Sequence, residues 1–322
     1  MATEVSAFSV LARTEFMNGK MAADDKSFPA SYDPFTTTFP STARVETHTY
    51  MSNLPRLYEF KGINHITRLV TKPYTVENVE YRIGPVTVRK TDLDDDQLGG
   101  YLKNINDIPN RGKKDTGHKL LAHLANGRTG LGFDGTAMFA NAHTVGSGDN
   151  LTTYNGAAND GATHRIIAVI TDNSFIKPVI FQDREPLSGL QTNADSPEAA
   201  LQKEFLYWAD TRFGLGYGFW WDTIDVAITD TPTVPECYEI VKQTINSFRT
   251  FTLPKGADVD DPLYIHEGWV PGRESFKLLC NLSLAETLST AMRIGQYQTS
   301  TGNVDNTYQN VAEVIPTSAL GA

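Results

Sequence analysis

This 322-residue sequence offers little sulfur chemistry: its two cysteines, Cys237 and Cys280, form neither a disulfide framework nor a metal-ligand spacing. Reduced thiols in a cytosolic setting are expected. No apolar run is long enough to span a bilayer. The start, MATEVSAFSVLARTEF, carries Glu4 and lacks a basic stretch followed by an apolar one, so a secretory signal is excluded. Charge is sparse, at 20% of residues, and biased: 28 Lys+Arg against 38 Asp+Glu give a net charge of -10. Phosphate neutralisation needs clustered basic residues, so gripping nucleic acid is not the main task. The balance suits a surface that faces DNA without adhering to it. Internal repeats and low-complexity tracts are missing, and the sequons at Asn150 and Asn281 would matter only in a secreted protein.

Catalytic patterns are missing too. Asp92, Asp94, Asp95 and Asp96 lack the glycine and distal glutamate of a calcium loop. They read better as carboxylates at the positive end of a helix dipole. His118 and His123 are five apart, off one helical face, and no third ligand with zinc spacing accompanies them. Gly214–Gly218 (GLGYG) lacks the Lys-Ser/Thr of a phosphate loop, and Leu187-Ser188-Gly189 lacks the flanking glycine of a nucleophile elbow. No catalytic, cofactor-binding or metal-binding residue is assigned, and the chain is not expected to be an enzyme. A hydrolase using Asp92 to Asp96 with a metal is a distant rival.

What is present is apolar surface: 40% hydrophobic and 10% aromatic residues, enough for one large or two modest cores. The most informative stretch is Asp210 to Ile228, DTRFGLGYGFWWDTIDVAI, in which Gly214, Gly216 and Gly218 alternate with Phe213, Leu215, Tyr217 and Phe219. Glycine weakens a strand unless another backbone must come close, so this reads as a strand pressed against something large. Trp208, Trp220, Trp221 and Trp269 suggest a mixture of core and interface.

Along the chain, Val5, Phe8, Leu11, Ala12 and Phe16 sit at helical spacing. Residues 27–41 (SFPASYDPFTTTFPS) carry Pro29, Pro34 and Pro40 among aromatics, which suggests an extended arm burying Phe28, Tyr32, Phe35 and Phe39 on a neighbouring subunit. The rival is an arm packed on its own domain. From Ile63 to Lys90 the alternation is strand-like. Thr75, Glu77, Val79, Tyr81 and Ile83 share one face; Tyr74, Val76, Asn78, Glu80 and Arg82 share the other. With the preceding HITRLVT run this suggests a long two-stranded arm, ending in a bend at Gly84-Pro85. Such a ribbon is marginal alone and needs a surface to lie on. Thr91 or Asp92 caps a long helix interrupted near Pro109 and Gly112 and stopping at Gly127. Residues 127–163 read as loop, 165–170 and 176–181 as short strands, and 182–203 as a polar excursion. Pro235 opens a helix with Cys237, Ile240, Val241, Ile245 and Phe248 on one face. LYIHEG reads as a strand, Ser275 to Leu288 as a second helix and NVAEVIP as a last strand, a small α/β unit.

The order and spacing of MSNLPRLYEFKG (51–62), VTVRKTDLDDDQLGGY (86–101), KPVIFQDRE (177–185), EFLYWADTRFGLGYGFWWDTIDVAI (204–228) and TINSFRTF (244–251) resemble the major head (capsid) subunits of Mu-like tailed phages and prophages. The resemblance implies an α+β fold of the type shared by tailed-phage and herpesvirus capsids, named after phage HK ninety-seven. It implies an N-terminal arm (1–50), an E-loop hairpin (51–90), a peripheral domain with a spine helix and the aromatic strands (91–232), and an axial domain (233–322). The spine helix would run from Asp92 to Asn126, with Pro109 and Gly112 as departures that could split it; the polar loops at 146–162 and 189–199 carry no motif. Assembly-interface candidates are Phe28, Tyr32, Phe35, Phe39, Tyr74, Tyr81 and Arg82. The implied function is a structural major capsid protein, self-assembling into pentamers and hexamers of an icosahedral head that encloses double-stranded DNA. Implied partners are copies of itself, a separate scaffold protein, a portal and a decoration protein, with no sequence-specific DNA binding and no membrane. Nothing before the arm reads as a processed scaffold segment, and the expected location is the virion, after assembly in the bacterial cytoplasm. A prophage-derived or cellular nanocompartment shell of the same fold is the alternative.

Overall fold

The computed structural model describes residues 14–20, 33–51, 71–89, 100–154, 163–172, 174–191, 204–253, 263–299 and 302–321. Two sheets carry the architecture. The first has four strands in the order β1 (Thr36–Pro40), β7 (Val179–Gln191), β8 (Glu204–Tyr217), β4 (Val79–Arg89). The second has five, in the order β15 (Glu313–Thr317), β12 (Phe276–Asn281), β6 (His164–Ile170), β9 (Thr223–Ile228), β5 (Leu151–Tyr154). The chain passes between them three times: from β4 through a long helix into β5, from β6 into β7, and from β8 through a turn at Trp220–Asp222 into β9.

The aromatic-glycine stretch is therefore not one strand. Its first half ends β8; its second half is β9, buried at every position between β6 and β5. Strands buried on both faces read as continuous apolar runs, which periodicity alone cannot separate from buried helix. The same ambiguity explains a second difference: Phe276–Asn281, expected within a helix, is a fully buried strand, and the helix is Ala285–Arg293. The stretch at 182–191, expected as polar excursion, instead extends β7 into a long antiparallel pairing with β8. Leu151–Tyr154, expected as loop, pairs in parallel with β9. LYIHEG is strand only at Leu263–Tyr264. The five-stranded sheet thus draws strands from both sides of residue 232.

Three longer helices among the described residues complete the frame. The first, α1, spans Gly100–Ala125 with Pro109 inside it, one continuous element rather than a split one. Residues 90–99, with the expected cap and aspartates, lie outside the described residues. Gly112 explains the second interruption: a Cβ there would come within 2.7 Å of Leu187 and 2.8 Å of Ile83, so the glycine lets the helix press onto the four-stranded sheet. Tyr217 donates its hydroxyl to the His123 carbonyl (2.7 Å), and Arg165 donates to the Ala125 carbonyl (3.0 Å), so carbonyls in the last turn of α1 are satisfied. Asp225, fully buried on β9, is bonded by both Arg165 and Arg128 at 2.6 Å, which ties the end of α1 to the second sheet. The second helix, α2 (Val234–Phe248), opens with a Thr233/Glu236 capping box and Pro235. Cys237, Ile240, Val241, Ile245 and Phe248 are buried as the spacing predicts. The third, α3, is Ala285–Arg293. Both cysteines are free and buried. No helix among the described residues is long and apolar enough to cross a membrane.

Candidate assembly surfaces

Apart from two short two-stranded pairs (Thr252–Leu253 with Leu263–Tyr264, and Gln296–Thr299 with Gly302–Asp305), one further pair of strands forms a ribbon. Strand β2 (Val45–Met51) runs antiparallel to β3 (Thr71–Glu77), in register from Val45 opposite Glu77 to Met51 opposite Thr71. This differs from the expected pairing within 65–83: β3 and β4 are consecutive but belong to different sheets. At Asn78 the chain crosses from one to the other, and the buried face changes parity with it. Val76 and Asn78 are buried before the crossing, while Tyr81 and Ile83 turn inward after it. Asn78 fixes the crossing by donating to Ser41 Oγ (2.7 Å) and the Ala43 carbonyl (2.8 Å), and its own N–H reaches the Arg44 carbonyl (2.8 Å). The HITRLVT residues before Thr71 lie outside the described residues.

The glycine stripe of β8 is where this ribbon lies. A Cβ at Gly214 would come within 2.8 Å of the Glu77 carbonyl, and one at Gly216 within 2.6 Å of Val76 Cγ2. One at Gly218 would overlap the Lys177 carbonyl outright. The close backbone neighbour that the sequence demanded is β3 itself, joined at Gly218 by the chain entering β7. Tyr74 secures the contact, its hydroxyl oxygen accepting the Tyr217 N–H at 2.9 Å. Burial raises the Tyr74 phenol above its ordinary range, with the Tyr217 bond opposing in part.

The foot of the ribbon stands on the loop after α1. Tyr50 packs against Phe133 (ring centroids 4.9 Å), Phe219 (5.8 Å) and Tyr74 (6.1 Å). Lys72 donates to Thr144 Oγ1 (3.1 Å) and reaches the Asp134 carbonyl (3.4 Å). Beneath these contacts Asp134, Thr136, His143 and Asn150 form a buried polar cluster against Trp220. Sequence reading missed it, because its members are scattered through a Gly/Asn/Thr-rich stretch without fixed spacing.

The sequence-expected interface residues divide. Phe28 and Tyr32 lie outside the described residues. Phe35 is a correction: with no exposed surface, it is packed with Leu120, Leu121, Leu124 and Val179 in this chain's own core, so no neighbour reaches it. The strand that follows, β1, pairs in parallel with β7 at the edge of the four-stranded sheet, which bonds one side of its backbone at home. Phe39 is half-buried against the main core and packs on His48. Upstream, residues 14–20 are helical, with Phe16 buried against Val88, Ile105 and Ile108 and Gly19 pressed to the Asn106 carbonyl. Tyr81 stacks on Phe213 with ring centroids 4.4 Å apart, and Lys119 Nζ lies over the Tyr81 ring, 4.5 Å from its centroid. Arg82 is half-exposed, forms a two-pronged ion pair with Asp210 (2.6 and 2.8 Å) and lies over Trp208. That pairing holds the Asp210 carboxyl below its ordinary range. With Glu80, Arg212 and Glu185 alongside, the outer face of β4, β8 and β7 is a lattice of alternating charges. Among the described residues the most exposed large apolar side chains are Phe175 and Val270, on loops joined by Thr171 bonding to Ser275 and Glu274.

Among the described residues no cluster of His, Cys, Asp or Glu could hold a metal. The geometry consists of seats and limbs.

Comparison with known proteins agrees. The family model of the Mu-like prophage major head subunit gpT matches residues 5–249. The Mu-like prophage FluMu major head subunit of Haemophilus influenzae is 27% identical over 199 residues, which cover 60% of this chain and 64% of that protein. The major capsid protein of Escherichia phage Mu is 27% identical over 198 residues, covering 60% and 65%. The match thus spans just under two thirds of the length of these curated relatives. A chain from the procapsid of bacteriophage JBD30 superposes with a TM-score of 0.72 at 22% identity, covering 99% of this chain and all of that one, so the two share a fold.

Proposed function

The chain belongs to the Mu-like prophage major head subunit family, and from that premise we propose that it is the repeating shell subunit of a tailed-phage head. In this reading it closes into pentamers and hexamers around double-stranded DNA and catalyses no reaction. The observation that carries the proposal is the β2–β3 ribbon, which is seated by its foot across the glycine stripe of β8. A ribbon held this way offers residues 52–70, between its strands, to a neighbouring copy, as the E-loop of such a shell. The four-stranded sheet and α1 then serve as the peripheral domain. The five-stranded sheet with α2 and α3 serves as the axial domain, which takes in residues from before 232.

A shell subunit shares several contacts with different neighbours, and each can be weak because closure engages all of them together. The net charge of -10 supports an inner wall that does not adhere to the genome. Tight DNA binding by the purified subunit at moderate salt would count against that. A separate scaffold, a portal and a decoration protein are proposed as partners. The test is replacement of residues 52–70 by a short Gly/Ser linker. The subunit keeps its thermal midpoint, because the foot of the ribbon is unchanged, but forms no shells; normal shells from this variant would remove the hairpin from the assembly account.

A further inference from the structure

In α3 every carbonyl of the last turn has a donor. Thr290 accepts the Ile294 N–H (3.0 Å), Ala291 accepts Asn306 Nδ2 (2.8 Å), Met292 accepts the Asn310 N–H (2.7 Å) and Arg293 accepts Gln309 Nε2 (2.7 Å). Buried Asn306 also donates its backbone N–H to the Gly295 carbonyl (2.8 Å) and its amide to the Ile294 carbonyl (2.7 Å). Asn310 holds φ at 56°, a left-handed conformation that asparagine tolerates. Residues 306–310 are thus the C-terminal cap of α3. The chain makes that cap only after an excursion, the antiparallel hairpin of Gln296–Thr299 with Gly302–Asp305.

Capping does not need the hairpin, because Gly295 and Asn306 already meet at its root. Gln296 and all of Gly302–Asp305 are exposed, Val304 among them at 39%. A hairpin is marginal alone, but this one is rooted in a fixed cap and so presents a preorganised surface. Its chemistry is unusual for an exposed segment. Residues 294–312 contain one charged side chain, Asp305, where an ordinary surface would carry about five. Gln296, Gln298, Thr299, Ser300, Thr301 and Asn303 supply the rest of the hairpin's polarity. The register sets Gln296 opposite Asp305 and Gln298 opposite Asn303, and Gln296 Nε2 donates to Asp305 Oδ1 (2.6 Å).

Such a surface suits one partner above others, a copy of itself. Amides and hydroxyls both donate and accept, so two identical patches can bond each other, whereas two identical charges repel. Around a rotation axis each group near the axis faces its own equivalents, which disfavours charge there. A contact between two different patches carries no such restriction, since opposite charges can be matched across it. With a net charge of -10 per copy, a nearly uncharged projection is where copies approach at least electrostatic cost. We propose that the hairpin Gln296–Asp305 is the point at which copies of this chain meet around their rotation axis. The inference rests on the reading of the chain as a shell subunit and adds which element closes its rings.

Asp305→Asn gives an uncharged hairpin, and in that background Asn303→Glu and Asn303→Lys add one charge of either sign. The root is untouched, so all three variants should keep the thermal midpoint of the unaltered chain. At low salt each charged variant alone should need about tenfold more protein to form rings or shells, scored by electron microscopy and light scattering. Salt of about 1 M, which cuts the screening length to ~3 Å, should restore assembly. Mixing the two charged proteins at low salt should restore it as well, because opposite charges then alternate around the axis. Assembly indifferent to both charges, or no rescue by mixing, overturns the proposal while leaving the shell reading in place. An unaltered chain that never assembles takes both down. If a charged variant does not fold, Asp305→Asn alone decides: it should assemble at a lower concentration than the unaltered chain at low salt, and an equal or higher one overturns the proposal.

Discussion

Gly216 puts the seating of the ribbon to a test of sign. In an ordinary strand interior, Gly→Ala stabilises by roughly 0.5–1 kcal/mol, because the unfolded chain loses freedom and the strand gains a side chain. At Gly216 the new methyl would come within 2.6 Å of Val76 Cγ2 and 3.1 Å of Tyr74 Cε1. Val76 is buried and β-branched, so it cannot swing aside cheaply. Overpacking of this kind costs about 1–3 kcal/mol, which exceeds the expected gain, so Gly216→Ala destabilises. Val76→Ala alone also destabilises, by about 1.5–2.5 kcal/mol for two lost methyls and the space they leave. In the Val76→Ala background the added methyl occupies that space. The double variant should then be more stable than the sum of the singles by about 1 kcal/mol or more, as residues in contact are coupled. Urea unfolding followed by tryptophan emission gives each value by linear extrapolation. Strict additivity, or a stabilising Gly216→Ala single, would refute the claim that β3 lies on the glycine stripe.

Two further outcomes follow from buried groups. Phe35→Ala should cost roughly 3–5 kcal/mol in the unassembled subunit, as for a large core side chain, and a loss under about 1 kcal/mol would return Phe35 to the interface. Asp222 has its carboxyl pushed up to about 8, by burial first and the Asp172 charge last, with Ser174 opposing. The folded state therefore holds a proton that the unfolded state releases near pH 4, and stability falls as pH rises from about 4 to 8. Asp222→Asn lacks that loss, so its advantage over the unaltered chain should widen from pH 5 to pH 8 in paired urea unfolding curves; a pH-independent gap would contradict the assignment.

The parts of the fold legible in sequence were those with one buried face or a required conformation. The alternation of glycine with aromatics demanded a close neighbour and found one in β3. Pro235 and the spacing from Cys237 through Phe248 located α2 within a residue. Pro109 misled in the other direction, since a proline that lacks its helical donor can still be carried inside a helix buried along one side. Strands β9 and β12 were obscured because burial on both faces erases the period of two. The identity of the ribbon's partners could not be read locally: β2 and β3 are separated by residues 52–70, and β3 runs into β4 with only a parity change at Asn78 to mark the crossing. The buried polar cluster at His143 was hidden for a similar reason, as its stacking partner Trp220 comes from a distant turn. Phe35 shows the limit of composition: a proline-rich aromatic arm looks the same whether its rings fill a neighbour or its own core.

Electron microscopy of the purified chain, across concentration, bears most directly on the reading of this polypeptide as a shell subunit. Rings of five and six subunits, or closed shells, are the expected result. A 35.5 kDa particle that stays single at every concentration, with scaffold present as well as absent, would contradict it.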